Sequence, residues 1–154
     1  MPSPFLFHPL AVHLALSLGL FSAMVEILTP LRKRPSPGFR KRTLALTLLF
    51  LSLALLTGIQ SLSTLKERHI PLPSRASIHE GVALGGGVLF LLLWLLSGRL
   101  GDRHPKTLSS RQFIAGAGLL ALLVAATLGG HLVYEDRLGT SFMTNTPSSA
   151  PSPR

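Results

Sequence analysis

Four histidines lie beside or inside long apolar runs, where ionisable side chains are uncommon. His8 and His13 belong to the first run, His79 begins the third, and His131 lies near the end of the fourth. Imidazole can ligate haem iron, bind zinc, copper or non-haem iron, hydrogen-bond a quinone carbonyl or relay protons. These residue types and positions therefore indicate a ligand-binding or redox site, with the ligand still open.

Several other chemistries find no support in the sequence. The chain has no cysteine, which excludes disulfides, thiolate metal sites, iron–sulfur clusters and covalently attached haem within it. It also contains no nucleophile–base pairing, phosphate-binding loop or pair of catalytic carboxylates. An enzyme is therefore the least favoured class of protein.

Four apolar runs set the architecture, with predicted membrane spans at about 6–28, 43–65, 79–98 and 112–134. Roughly 20 apolar residues suffice for a helix to cross a bilayer. Only 14% of the residues are charged, against about a quarter in soluble domains. The prediction is an all-α integral membrane four-helix bundle over residues 1–139, followed by a disordered polar tail over 140–154 that is rich in Ser, Thr and Pro. Residues 1–7 contain no Lys or Arg, so the first run is interpreted as a retained helix rather than a signal peptide.

The basic residues predict an orientation. Ten of the fifteen lie in the first and third loops, between the predicted spans. Cytoplasmic loops carry such an excess, so the bundle is predicted to run up-down-up-down in the bacterial inner membrane with both termini in the periplasm. The net charge of +9 does not indicate nucleic-acid binding, because the basic residues lie in short loops and form no basic helix face.

This topology brings all four histidines to the outer end of the bundle. Polar groups at membrane depth usually face the bundle interior. His13 and His131 lie deepest along their helices, so they are predicted to be the axial ligands of a haem b, or the ligands of a transition metal. His8 and His79 are predicted to form a second pair or to support the first.

Other polar and small residues have supporting roles in this prediction. Glu80 and Gln60 are candidates to orient an imidazole by hydrogen bonding. Glycines at 85–87 and 129–130 would let a flat macrocycle approach the helices. Glu26, at the other end of the first run, is expected only to reach the interface or to pair with a loop arginine.

Two motifs resemble those of a known family. The opening HPLAVH at 8–13 and the closing GGHLVYEDRLGT at 129–140 resemble the HPxxVH and GG-x-LVY segments of a bacterial family of small four-helix membrane proteins without an assigned function. His79 falls where that family usually has a histidine before its third helix. Leu14 stands in place of the family's Phe-Pro, and residues 138–140 replace its Gly-Val-Gly-Val ending. Members are sometimes joined to Rieske-type domains, so the resemblance implies redox work and a bound haem b.

Two functions follow as hypotheses. The first is electron transfer from a membrane donor such as quinol to a periplasmic redox protein. The alternative is a cofactor-free structural or assembly subunit that docks other membrane subunits through its glycine-rich third and fourth helices. A transporter is less favoured, because four helices form a small bundle and no acidic residue lies mid-membrane.

Overall fold

The four apolar runs form four long helices. A computed structural model describes residues 4–28, 36–67, 69, 71–99 and 105–135. Helix α1 spans Pro4–Leu28, α2 Pro37–Glu67, α3 Ser74–Arg99 and α4 Pro105–Tyr134. Each is long and apolar enough to cross a membrane, which confirms the predicted all-α class with four helices of spanning length. The predicted tail at 140–154 lies outside the described residues.

The helices extend beyond the charge-free runs, most clearly at the start of α2. This helix begins at Pro37, so residues 40–42 belong to its first turns rather than to the preceding loop. Proline suits the first helical position because its missing N–H has no helical partner there. The Ser36 hydroxyl accepts a hydrogen bond from the Phe39 N–H at 3.2 Å and caps the helix. The 31 residues of α2 reach about 46 Å, which is longer than the roughly 30 Å hydrocarbon core.

Each helix packs against two others. Helix α1 contacts α2 and α4, and α3 also contacts α2 and α4. Every helix contributes to one buried apolar cluster, whose members are Ala23, Leu44, Phe90, Leu93, Ala115 and Leu122. The core is therefore a narrow column between the four helices.

The outside of the assembly is strongly apolar. Large side chains such as Phe113, Leu120 and Leu56 are 79%, 63% and 63% exposed. No more than a third of the residues in any spanning segment are buried. Water-soluble proteins rarely expose such large continuous apolar surfaces, so this surface suits contact with lipid.

A buried polar contact joins the second half of α1 to the first half of α2. The hydroxyl oxygens of Ser22 and Thr47 lie 2.8 Å apart, and both side chains are buried. The Thr47 hydroxyl also lies 3.1 Å from the backbone carbonyl of Leu18 on α1. Hydrogen bonds of this kind hold helices together where apolar contacts alone do not discriminate between partners.

Candidate functional site

His8 lies near the start of α1, and its ring packs onto α2. Its Nδ1 is 3.0 Å from the Thr57 hydroxyl oxygen. That hydroxyl lies 2.8 Å from the carbonyl of Leu53 and 3.1 Å from that of Ala54. Because a carbonyl can only accept, a Thr57 hydrogen directed to its own helix leaves the hydroxyl oxygen able to accept from His8 Nδ1. The ring also covers Gly58, where a Cβ would lie 3.1 Å from His8 Cε1.

His79 has the same arrangement between α3 and α4. Its Nδ1 lies 2.8 Å from the backbone carbonyl oxygen of Ala125. Its Cε1 lies 3.1 Å from the position that a Cβ at Gly129 would occupy. A carbonyl oxygen can only accept, so His79 Nδ1 carries the hydrogen. Any side chain larger than hydrogen at Gly129 would press against this ring.

The two hydrogen bonds define what the rings can do. With Nδ1 donating to a protein acceptor, a neutral imidazole keeps its Nε2 lone pair for a ligand. Histidines that bind metals almost always donate their other ring N–H in this way, which fixes the ring orientation and raises its basicity. His8 and His79 therefore form a pair of similarly oriented imidazoles, each near the start of its own helix and packed on the helix that follows.

His13 lies apart from this pair. Its side chain is exposed, and its Nδ1 lies 2.7 Å from the Pro9 carbonyl of the same helix. Five residues separate it from His8, which is about 140° of rotation around a helix. When His8 turns toward α2, His13 therefore points elsewhere.

His131 belongs to a charged network at the end of α4. Its Nδ1 lies 2.6 Å from one carboxylate oxygen of Glu135, whose other oxygen accepts a hydrogen bond from Arg75 at 2.8 Å. The bond from Arg75, followed by that from His131, lowers the pKa of the Glu135 carboxyl. Beside this network is a shallow pocket of about 290 Å³ lined by Thr127, Gly130, His131, Tyr134 and Glu135.

The predicted supporting residues do not reach the histidine pair. Glu80 and Gln60 are both exposed. Within the described part of the chain, no three His, Cys, Asp or Glu side chains come close enough to hold one metal ion. His8 and His79 thus each contact the following helix, whereas the His13 ring bonds within α1 and the His131 ring bonds to Glu135. The assignment of His13 and His131 as axial ligands stays a prediction.

A buried ionic cluster at the opposite end was not predicted as a site. Glu26 accepts hydrogen bonds from Arg40 Nε at 3.0 Å and Nη2 at 3.1 Å, and from Arg111 Nη2 at 2.8 Å. The three side chains are only 1%, 2% and 4% exposed, respectively. The cluster joins α1 to α2 and to α4.

A neighbouring contact adds to this junction, since the Gln112 amide donates to the Ile27 carbonyl at 2.9 Å. The sequence signal for the cluster was a lone acid in an apolar run with arginines at the starts of two other helices. Buried charges require such pairing, because an isolated one is very costly at membrane depth.

Four helices of spanning length with an apolar outside suggest a multi-pass membrane protein. No protein-family model, no curated protein and no solved structure matches the chain.

Proposed function

We propose that the chain is an integral protein of the bacterial inner membrane, with four alternating spans and both termini in the periplasm. Contacts at the helix ends support the alternation. The end of α1 meets the starts of α2 and α4 through Glu26, and the start of α3 meets the end of α4 through His79 and Gly129. The excess of basic residues between the first and second runs and between the third and fourth supports the orientation.

Within this bundle, His8 and His79 bind the iron of a b-type haem near the periplasmic face. The observation that carries this assignment is the shared arrangement of the two rings: each Nδ1 lies at 3.0 Å or 2.8 Å from a protein oxygen, and a ring that donates from Nδ1 keeps Nε2 to coordinate. The glycine next to each ring leaves room for the Cε1 edge of the imidazole to approach the neighbouring helix. Bound haem supplies a one-electron redox centre. The chain's own contribution is to hold both imidazoles in a fixed orientation.

The electron donor in this proposal is a membrane quinol, and the acceptor is a periplasmic redox protein. Both fit a site at the outer end of the bundle, where lipid and periplasm meet. The resemblance of the end motifs to a family sometimes joined to Rieske-type domains points in the same direction. A transition metal could replace haem in this proposal, because imidazole nitrogens such as Nε2 of His8 and Nε2 of His79 also bind zinc, copper or iron.

The test is an optical spectrum of detergent-purified protein from cells supplied with haem, recorded as isolated and after dithionite. A sharp reduced α-band with a shifted Soret band is expected. His8→Ala and His79→Ala should remove it, while His13→Ala and His131→Ala, which change the same residue type outside the pair, should keep it. The opposite pattern would assign the iron to His13 and His131. A featureless spectrum would remove haem from the proposal, and elemental analysis for zinc, copper and iron would then test the metal variant.

A second candidate function is that of a cofactor-free assembly subunit. Its supporting observation is the outward face of α3, where Gly81 and Gly85 are exposed and an added Cβ would meet nothing within 4 Å. Glycines four residues apart on a spanning helix allow another helix to approach closely. This function predicts a colourless protein that co-purifies with other membrane subunits. Gly85→Leu should release the partner subunits without changing the fold. If the partners stay bound in both Gly85→Leu and Gly81→Leu, the assembly function is wrong.

A further inference from the structure

We infer that the chain consists of two copies of one helical hairpin, α1–α2 and α3–α4, with equivalent residues 71 positions apart. The outer end shows the correspondence most directly. His8 and His79 are 71 residues apart, and so are Ala54 and Ala125. Gly58 and Gly129 share this separation. Three matched residue types would mean little alone in a chain so rich in alanine and glycine, so the contacts must decide.

The contacts among these residues repeat as well as their types. The His8 ring lies next to Gly58, and the His79 ring lies next to Gly129. In each case a Cβ added at the glycine would lie 3.1 Å from Cε1 of the histidine. His8 Nδ1 reaches α2 through the Thr57 hydroxyl at 3.0 Å, and that hydroxyl lies 3.1 Å from the carbonyl of Ala54, the residue one turn before the glycine. His79 hydrogen-bonds the carbonyl of Ala125, again one turn before its glycine.

The correspondence continues into the core. A Cβ added at Gly19 of α1 would lie 3.8 Å from Thr47 of α2, and one added at Gly118, the equivalent of Thr47, would lie 3.1 Å from Phe90, the equivalent of Gly19. The glycine of this pair lies on the first helix of one hairpin and on the second helix of the other. All four positions are buried. Two further equivalent pairs, Ser22 with Leu93 and Leu44 with Ala115, are buried in both copies.

The correspondence reaches the opposite end, where it explains the ionic cluster. Arg40 and Arg111 are equivalent residues, both are buried, and both donate to Glu26. The equivalent of Glu26 in the second hairpin is Ser97, which carries no charge. Two equivalent arginines thus share the single carboxylate that one copy retains.

Because each copy has two helices, both copies cross the membrane in the same direction. Repeats of this kind are related by a rotation axis along the membrane normal. His8 and His79 are then equivalent residues of the two copies and lie on opposite sides of that axis. This inference rests on the proposed function: the two equivalent histidines would hold one ligand from two sides, as a metal ion within a planar macrocycle allows.

Relocating the carboxylate tests the duplication without any ligand. Glu26→Ser should lower the sodium dodecyl sulfate concentration at which detergent-purified protein half-unfolds, measured by circular dichroism. Adding Ser97→Glu should restore at least half of that loss, because position 97 stands to Arg111 as Glu26 stands to Arg40. The matched control adds Ser63→Glu, which places a new acid at an exposed position of α2, and should restore nothing.

The outcomes decide the inference in either direction. If Glu26→Ser prevents folding, recovery of folded protein in the double variant is the readout. A double variant no more stable than Glu26→Ser, or a Glu26→Ser variant as stable as the parent chain, overturns the duplication. The single ligand is tested separately by the ligand content of His8→Ala and His79→Ala. Equal losses support it, whereas loss in only one overturns the two-faced ligand and leaves ligand binding by one histidine intact.

Discussion

Replacing Glu26 by glutamine is the most informative single change, because it removes a charge while keeping the size of the side chain. The carboxylate accepts three hydrogen bonds from two arginines that are at most 4% exposed. The amide of Glu26→Gln keeps one accepting oxygen and places an NH₂ group against a guanidinium. Removing one member of a buried ion pair costs about 3–5 kcal/mol. The folded-to-unfolded ratio should therefore fall by roughly two to nearly four orders of magnitude.

The assay is equilibrium unfolding of the detergent-purified protein by sodium dodecyl sulfate, followed by circular dichroism. The control is Glu67→Gln, which makes the same chemical change at an exposed position near the end of α2. Its effect should stay within about 0.5 kcal/mol, as expected for a surface substitution. Arg40→Met combined with Glu26→Gln should destabilise less than the sum of the two single changes, because the residues form one network.

The buried ionic cluster does not stabilise the fold if Glu26→Gln unfolds at the same detergent concentration as the parent chain. Such a result would mean that water or lipid headgroups solvate the arginines and that their burial between the helices is not required. Equal destabilisation by Glu26→Gln and Glu67→Gln would also contradict it, since the effect would then come from net charge.

Three further predictions concern the other contacts. Gly129→Ala should destabilise the protein by about 1–3 kcal/mol through overpacking against the imidazole, and should weaken ligand binding. Gly130→Ala, where an added Cβ meets nothing within 4 Å, should be neutral or stabilise by up to about 1 kcal/mol; equal effects in thermal unfolding would contradict the close contact. The pKa of Glu135 is lowered chiefly by the Arg75 hydrogen bond, so its contribution to stability is present above the unfolded-state pKa and is lost as pH falls through the folded-state pKa. Arg75→Gln should raise that pKa in a carboxylate infrared titration, and an unchanged value would show that the contact does not form. Thr47→Val keeps the shape of the side chain and loses its buried hydroxyl, so it should cost about 0.6–1.7 kcal/mol in detergent unfolding, whereas no loss would argue against the hydrogen bonds.

The sequence predicted the helices well because length and apolar composition determine whether a segment can span a bilayer. Helix α2 begins at Pro37, before the predicted span, which was ended at the first charge. Arg40 lies inside this helix, because Ser36 caps its N-terminus and Pro37 begins its first turn. The pairing of Glu26 with an arginine was anticipated as one option, but its second partner lies 85 residues away. No local pattern indicates such a contact.

The histidine site was only partly predictable for a similar reason. The convergence of polar residues at one end followed from the order of the helices. The partners that orient the rings did not, because the backbone carbonyl of Ala125 leaves no mark in the side-chain sequence. Comparing the chain with itself could have found His8 and His79 as equivalents. The many leucines and alanines conceal the repeat until burial and contacts are known.

The ionic cluster also has a consequence for biosynthesis. Glu26 meets Arg40 only 14 residues later in the chain, but it meets Arg111 85 residues later. Translation at about 5–20 residues per second separates the two events by roughly 4–14 s. The first hairpin can thus enter the bilayer with its carboxylate already neutralised by Arg40. Arrival of the last helix then adds the second guanidinium and fastens α4 to α1, so the bond that closes the bundle forms only when synthesis of the spans is nearly complete.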